Sequence, residues 1–204
     1  MKILFCFLLG LCVIQAQVKE VKIGKQVWMA ENLNVSTFRN GDSIPQVKTD
    51  KKWKKASKKK QPAWCYYNNE PQKGQKYGKL YNWYAVNDAR GLAPQGYHIP
   101  TDNEWTTLTT YLGGEEVAGT KMKSTSGWDA YGNGSNVSGF YGLPGGYRNG
   151  SGTFSDIGGS GCWWSSTEND TVSSWNRYLN FYFGIVGRGD LSMGDGFYVR
   201  CLRD

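Results

Sequence analysis

An α+β domain, with two early helices, short antiparallel strands and long ordered loops, is the fold class that the sequence predicts. Three observations carry this expectation. The 204 residues include 27 glycines beside nine tryptophans and thirteen tyrosines, a mixture suited to many turns and strands around an aromatic core. Helical spacing occurs only in the first half of the chain. From Gly127 onward the sequence is dense in Gly, Ser and Asn interrupted by aromatics, the pattern of ordered loops punctuated by strands.

The chain opens MKILFCFLLGLCVIQAQ: one lysine, an apolar run from Ile3 to Ile14, then Gln15 and the small Ala16. That is the plan of a signal peptide over residues 1–16, with an apolar stretch too short to span a bilayer. A lipoprotein signal using Cys12 would put the bulky Leu11 where such signals prefer a small residue. The expected product, residues 17–204, is secreted or held at the cell surface. It has no later transmembrane segment and is long enough for one domain with a sizeable core.

VKEVKIGKQVWMAENL reads as a hairpin, with Val21 and Ile23 alternating, Gly24-Lys25 turning and Val27 to Met29 returning. Residues 48–60, KTDKKWKKASKKK, hold eight lysines and one aspartate, so this segment accounts for the net charge of +7. It reads as a solvated, mobile insertion. Its functional alternative is a patch of Lys51, Lys52, Lys54, Lys55, Lys58, Lys59 and Lys60 gripping an anionic partner. Export argues against nucleic acid, and arginine, the preferred reader of base edges, is absent from the segment.

Tyr77, Leu80, Tyr81 and Tyr84 fall at i, i+3, i+4 and i+7, which predicts a helix from Gly78 to about Asn87. In GYHIPTDNEWTTL, Thr101 and Glu104 form a capping box, and Asp102 favours the first turn. Trp105, Leu108 and Leu112 then make the apolar face, and Gly113-Gly114 stops the helix. Both acids thus have structural tasks. His98, the single histidine, reads as an end-of-strand residue making a structural hydrogen bond. Further on, Trp175 to Val186 alternates as one strand, with Trp175, Leu179, Phe181, Phe183 and Ile185 on one face. Asn176, Tyr178, Asn180 and Tyr182 share the other, and Phe197 to Leu202 is a last strand.

Cleavage would remove Cys6 and Cys12. Cys65, Cys162 and Cys201 remain, and in an oxidising compartment two of the three should pair, in any of three ways. With no CxxC and one histidine, a zinc site is not expected.

The ordered succession IGKQVWMAENL, PAWCYYNN, YGKLYNWYAV, GYHIPTDNEWTTL, GFYGLPGGYRNGSGTF, WWSSTE and GFYVRCLRD resembles the Fibrobacter succinogenes major paralogous domain, over about Ile23 to Asp204. The resemblance implies exported bacterial proteins related to the formylglycine-generating-enzyme and C-type-lectin-like folds, with no established general activity. The oxidase chemistry of the former needs a close copper-binding cysteine pair, which the sequence lacks, although Ile99 to Trp105 and Gly196, Phe197, Arg200 and Cys201 match its motifs. The calcium site of the latter uses a long-loop EPN or QPD and a WND strand. Here Glu70-Pro71-Gln72 precedes the first helix, and Trp175-Asn176-Arg177 puts a cation where an acid is needed. No cofactor is therefore expected, with calcium held by Asp129, Asp156, Glu168 or Asp170 as the one alternative. The lectin-like frame also implies a Cys65–Cys201 disulfide, leaving Cys162 free.

No nucleophile elbow accompanies His98, and paired carboxylates for glycoside cleavage would have to come from Asp102, Glu104, Glu168 or Asp170. Binding chemistry is better represented. Trp128, Tyr131, Tyr141, Tyr147, Trp163, Trp164 and Tyr182 are interleaved with Asn133, Asn136, Arg148, Asn149 and Asp156, flat rings beside hydrogen-bonding groups that suit a sugar or a peptide. Of the adjacent Trp163 and Trp164, an extended chain should turn only one inward. The expected function is a noncatalytic surface or extracellular module binding carbohydrate or a surface protein. The alternatives are an exported enzyme with a diverged formylglycine-generating-enzyme-like site and a structural surface paralogue.

Overall fold

The computed structural model describes residues 18–204, so the expected signal peptide, with Cys6 and Cys12, lies outside the described residues. The predicted hairpin is present as β1 (Glu20–Ile23) and β2 (Gln26–Met29), paired antiparallel across the Gly24-Lys25 turn. β2 continues into a four-stranded sheet, ordered β1-β2-β12-β5, through β12 (Leu202–Arg203) and β5 (Tyr97–His98). The larger sheet has the order β10-β9-β8-β6-β11-β4-β3, with β7 (Phe154–Ile157) on β6 (Gly145–Arg148). Its other strands are β3 (Trp64–Cys65), β4 (Leu80–Asn82), β8 (Ser160–Glu168), β9 (Ser173–Asn180), β10 (Gly187–Ser192) and β11 (Gly196–Phe197). The architecture is α+β, with sheet predominating as expected.

The centre of the large sheet is buried on both faces. Successive residues on a strand point to opposite sides, and here the two sides are two cores. Cys65, Leu80, Trp163 and Tyr198 join one hydrophobic cluster, with Trp28, Trp105 and Phe140. Their neighbours Trp64, Tyr81, Trp164, Phe197 and Val199 join the other, with Leu33, Phe38 and Trp83. Trp163 and Trp164 are therefore both buried, which corrects the expectation that one would face solvent.

Five further expectations are corrected. The lysine-rich segment is not a mobile insertion but helix α1 (Asp50–Lys58). Thr49 caps it by accepting from the Lys52 amide at 3.3 Å, and it buries Trp53 and Ala56. Those two residues, three apart, are the whole apolar face, too narrow to register among eight lysines. The helix expected at 78–87 is instead a sequence of three elements. Helix α2 (Pro71–Tyr77) ends at Gly78, strand β4 follows, and α3 (Trp83–Val86) is a single turn capped by Asn82. Leu80, Tyr81 and Asn82 are all buried, so their apparent helical spacing is that of a strand covered on both faces.

The long strand expected at 175–186 stops at Asn180, whose side chain accepts from the Tyr182 amide at 2.8 Å and starts a turn. The expected last strand divides between the two sheets as β11 and β12, and residues 197–202 are buried throughout. The implied disulfide is also absent. Cys65, Cys162 and Cys201 are free and buried, and Cys65 lies in a different cluster from Cys201.

Helix α4 (Asp102–Tyr111) has the capping box read from its sequence. Glu104 Oε2 accepts from the Thr101 amide at 2.8 Å, and the Glu104 amide donates to Thr101 Oγ1 at 3.3 Å. Gly113 and Gly114, at φ +102° and +98°, end it in a conformation that favours glycine, and α5 (Glu115–Met122) follows. Among the described residues no helix is long and apolar enough to cross a membrane.

Candidate functional site: an exposed aromatic platform

The turn joining β9 to β10 carries the sequence Phe181-Tyr182-Phe183-Gly184. Phe181 is half-buried, whereas Tyr182 and Phe183 are 75% and 60% exposed. The rings of Phe181 and Tyr182 overlap at a centroid distance of 3.7 Å, and Phe183 continues the row 6.3 Å from Tyr182. The turn is held from below by Lys123, a buried ammonium that donates to the carbonyls of Asn180 (3.2 Å) and Phe183 (2.9 Å). Burial lowers the Lys123 pKa. Backbone bonds from Phe181 to Gly159 and from Thr120 to Gly184 complete the anchoring.

The loop beginning at Gly127 lies alongside. A Cβ on Gly132 would stand 2.5 Å from that of Phe181, so only glycine allows this loop to lie against the turn. Its neighbour Tyr131 is fully exposed. Trp128 is the buried root of the loop, its indole donating to Ser124 Oγ and the Gly142 carbonyl, while its amide donates to Asn133 Oδ1. Of the residues singled out in the sequence, Tyr131 and Tyr182 are thus placed on adjacent loops, open to solvent.

Most of the others have structural tasks. Trp128, Trp163, Trp164 and Arg148 are buried and present no face to a ligand. Arg148 sits between the rings of Trp53 and Phe154, 4.6 Å from each, and donates to the carbonyls of Val47, Lys48 and Gly152 and to Asp50. Asn149 accepts from the amides of Ser151, Gly152 and Thr153, which organises the β6–β7 turn. Tyr147 is half-buried edge-on to Phe197. Tyr141 is exposed, and its amide is held by Asn136 Oδ1. Asp156 takes a left-handed backbone conformation beside Gly158.

Phe183 was missed because the alternating pattern put it on the strand face shared with Leu179 and Ile185. The available signal was the bracketing of three aromatics by Asn180 and Gly184, both turn formers.

His98 lies at the end of β5 as expected. Its Nδ1 is 2.8 Å from Asp204 Oδ1 and its Nε2 is 2.9 Å from Glu104 Oε1. Burial alone would lower the imidazole pKa, but these two carboxylate hydrogen bonds outweigh it and raise it. Burial likewise opposes ionisation of Glu104, yet bonds from Thr101 and His98 hold its pKa low. A raised histidine pKa contributes stability that is complete below the unfolded value of about 6.5 and is lost as pH rises through the folded value. Glutamate's contribution is lost at the acid side, as pH falls through its depressed value. We therefore expect His98→Gln to be destabilising near pH 5.5, by no more than about 1 kcal/mol because the pair is partly exposed. The difference should shrink by pH 8.5, as read from urea midpoints, and a pH-independent difference would refute the linkage.

Burial pushes Cys65 and Cys201 up to about 12 and raises Cys162 further, so none offers a thiolate near neutral pH. Arg177 is fully buried against Asp102, which also binds Arg188. Asp170 is occupied in a local turn, accepting from the amides of Val172 and Ser173. Among the described residues no three His, Cys, Asp or Glu side chains stand where they could hold a metal ion.

The domain is thus a mixed α+β fold whose sheet centre is covered on both sides and whose β9–β10 turn presents aromatic rings to solvent. The chain belongs to the Fibrobacter succinogenes major domain family, whose model matches residues 21–203. No curated protein matches it.

Proposed function

We propose that this protein is a noncatalytic, exported binding module that holds carbohydrate on the platform formed by Tyr131, Tyr182 and Phe183. The observation that carries the reading is the exposure of Tyr182 and Phe183 in an ordered row, on a turn pinned by a buried lysine. Apolar rings normally leave solvent, and a contiguous exposed group of them marks a contact surface. Flat aromatic faces stack on the C–H faces of sugar rings, and the two tyrosine hydroxyls can bond sugar hydroxyls. A pre-ordered turn lowers the entropic cost of binding. The reading of the fold as lectin-like belongs to this proposal and is supported by the pairing of β2 with β12 and by the long loops of residues 127–142.

The experiment is equilibrium binding of the protein to a panel of neutral and acidic glycans, with Tyr182→Ala and Tyr131→Ala as comparisons. Saturable binding is expected, weakened at least tenfold by Tyr182→Ala, which corresponds to about 1.4 kcal/mol. Chelator should leave it unchanged, because Arg177 occupies the position of the expected calcium ligand. An absence of binding across the panel, or a Tyr182→Ala variant that binds normally, sinks the proposal.

A further inference from the structure

Helix α1 is the most charged surface of the described chain. The seven lysines between residues 51 and 60 are all exposed, and none of them forms an ion pair among the described residues. The one acid of the helix, Asp50, is already engaged by Arg148. Like charges recur at i, i+4 (Lys51/Lys55, Lys54/Lys58, Lys55/Lys59), a spacing at which each pair destabilises a helix by a few tenths of a kcal/mol.

The helix nevertheless stands as a fixed platform. Trp53 is buried, its indole donating to the Gly194 carbonyl at 3.0 Å, and the guanidinium of Arg148 lies against its ring. Beside the helix runs a groove of about 400 Å³ floored by Pro45, Val47, Ala56 and Pro62, with Lys52 and Lys55 along its edge.

We propose that this groove and the lysine face of α1 bind an acidic polysaccharide, one carrying carboxylate or sulfate groups. Uncompensated ammonium groups on a rigid frame supply the attraction, and binding relieves their mutual repulsion. The proline and valine floor offers apolar surface to pyranose rings between the charges. A bilayer fits less well, because insertion needs a large exposed apolar face and the one large apolar side chain of this helix, Trp53, is buried. Duplex DNA fits less well because the segment has no arginine fork to read bases. The site is separate from the Tyr182 turn and does not depend on the reading given to it.

The test uses polygalacturonate as probe, with dextran as the neutral polymer and phosphatidylglycerol vesicles and duplex DNA as competing polyanions. Polygalacturonate should bind with an affinity that falls steeply with salt and raise the thermal midpoint, and dextran should do neither at this site. Lys52→Gln/Lys55→Gln should weaken polygalacturonate at least tenfold, with a urea midpoint no lower than that of the parent protein. Tyr182→Ala should leave polygalacturonate binding as it was. The proposal is overturned if the double lysine variant binds polygalacturonate normally, if Tyr182→Ala abolishes the binding, or if vesicles or DNA bind more tightly at equal salt.

Discussion

Replacement of Trp164 by alanine is expected to lower the unfolding free energy by about 3–5 kcal/mol, the range for deleting a large buried aromatic. Trp164 is fully enclosed, stacks on Phe197 at a centroid distance of 4.4 Å and donates from its indole to the Tyr81 carbonyl at 2.8 Å. The substitution therefore opens a cavity at the junction of β8, β11 and β4 and also orphans an acceptor. The neighbouring strands are held by their own ladders, so the site has little freedom to collapse. Urea unfolding monitored by fluorescence measures the change. A loss under 1 kcal/mol would mean that the second core is not packed around this ring. The same residue had looked like a sugar contact, so a binding defect in this variant would report unfolding rather than recognition.

Asp102→Ala should be nearly as damaging, at about 3–5 kcal/mol, for an electrostatic reason. Arg177 is fully buried, and its guanidinium bonds to Asp102 through the carboxylate and the backbone carbonyl, and to Thr106 Oγ1. Removing the carboxylate leaves a buried cation without its counterion, which is the costly way to break an internal ion pair. Arg188 also bonds Asp102 and lies over the ring of Trp175 at 3.4 Å, but it is partly exposed and can turn to water. Arg188→Ala is accordingly expected to cost no more than about 1 kcal/mol. Burial would raise the Asp102 pKa, and the two arginines more than reverse this, so the carboxyl titrates below its usual range. The stabilisation is thus present above the ordinary carboxylate pKa and is lost as pH falls through the depressed value. Equal costs for the two variants at pH 7 would contradict this division of roles.

What could be read from the sequence was local. The capping box at Thr101 and Glu104 and the Gly24-Lys25 hairpin depend on residues within a few positions of one another, and the place of His98 at a strand end follows from the Pro100 behind it. What could not be read depends on tertiary cover. Tyr81 and Trp164 lie in a sheet covered on both faces, where apolar residues run consecutively and lose the two-residue period that marks a half-buried strand. Trp53 and Ala56 make a helix only because the body of the protein receives them. Cys65 and Cys201 looked like disulfide halves by analogy of position, yet they belong to opposite cores. At the candidate site, Tyr131 was legible from its Gly- and Asn-rich loop, and Tyr182 from its alternation with Asn176 and Asn180. Burial of Arg148 and Arg177 was not, since nothing in sequence announces that a cation will be enclosed.

Trp28 in β2 is aligned with Leu202 in β12, and the Met29 amide donates to the Cys201 carbonyl at 2.9 Å. The four-stranded sheet thereby joins the two ends of the described chain, and its closure must overcome the entropy of nearly the entire intervening sequence. The β8–β9–β10 meander closes only short loops and can form on the microsecond scale of hairpins. The order of assembly follows: the meander organises early, and the sheet that unites beginning and end locks last. Such high contact order places the protein among domains that fold in milliseconds to seconds rather than microseconds.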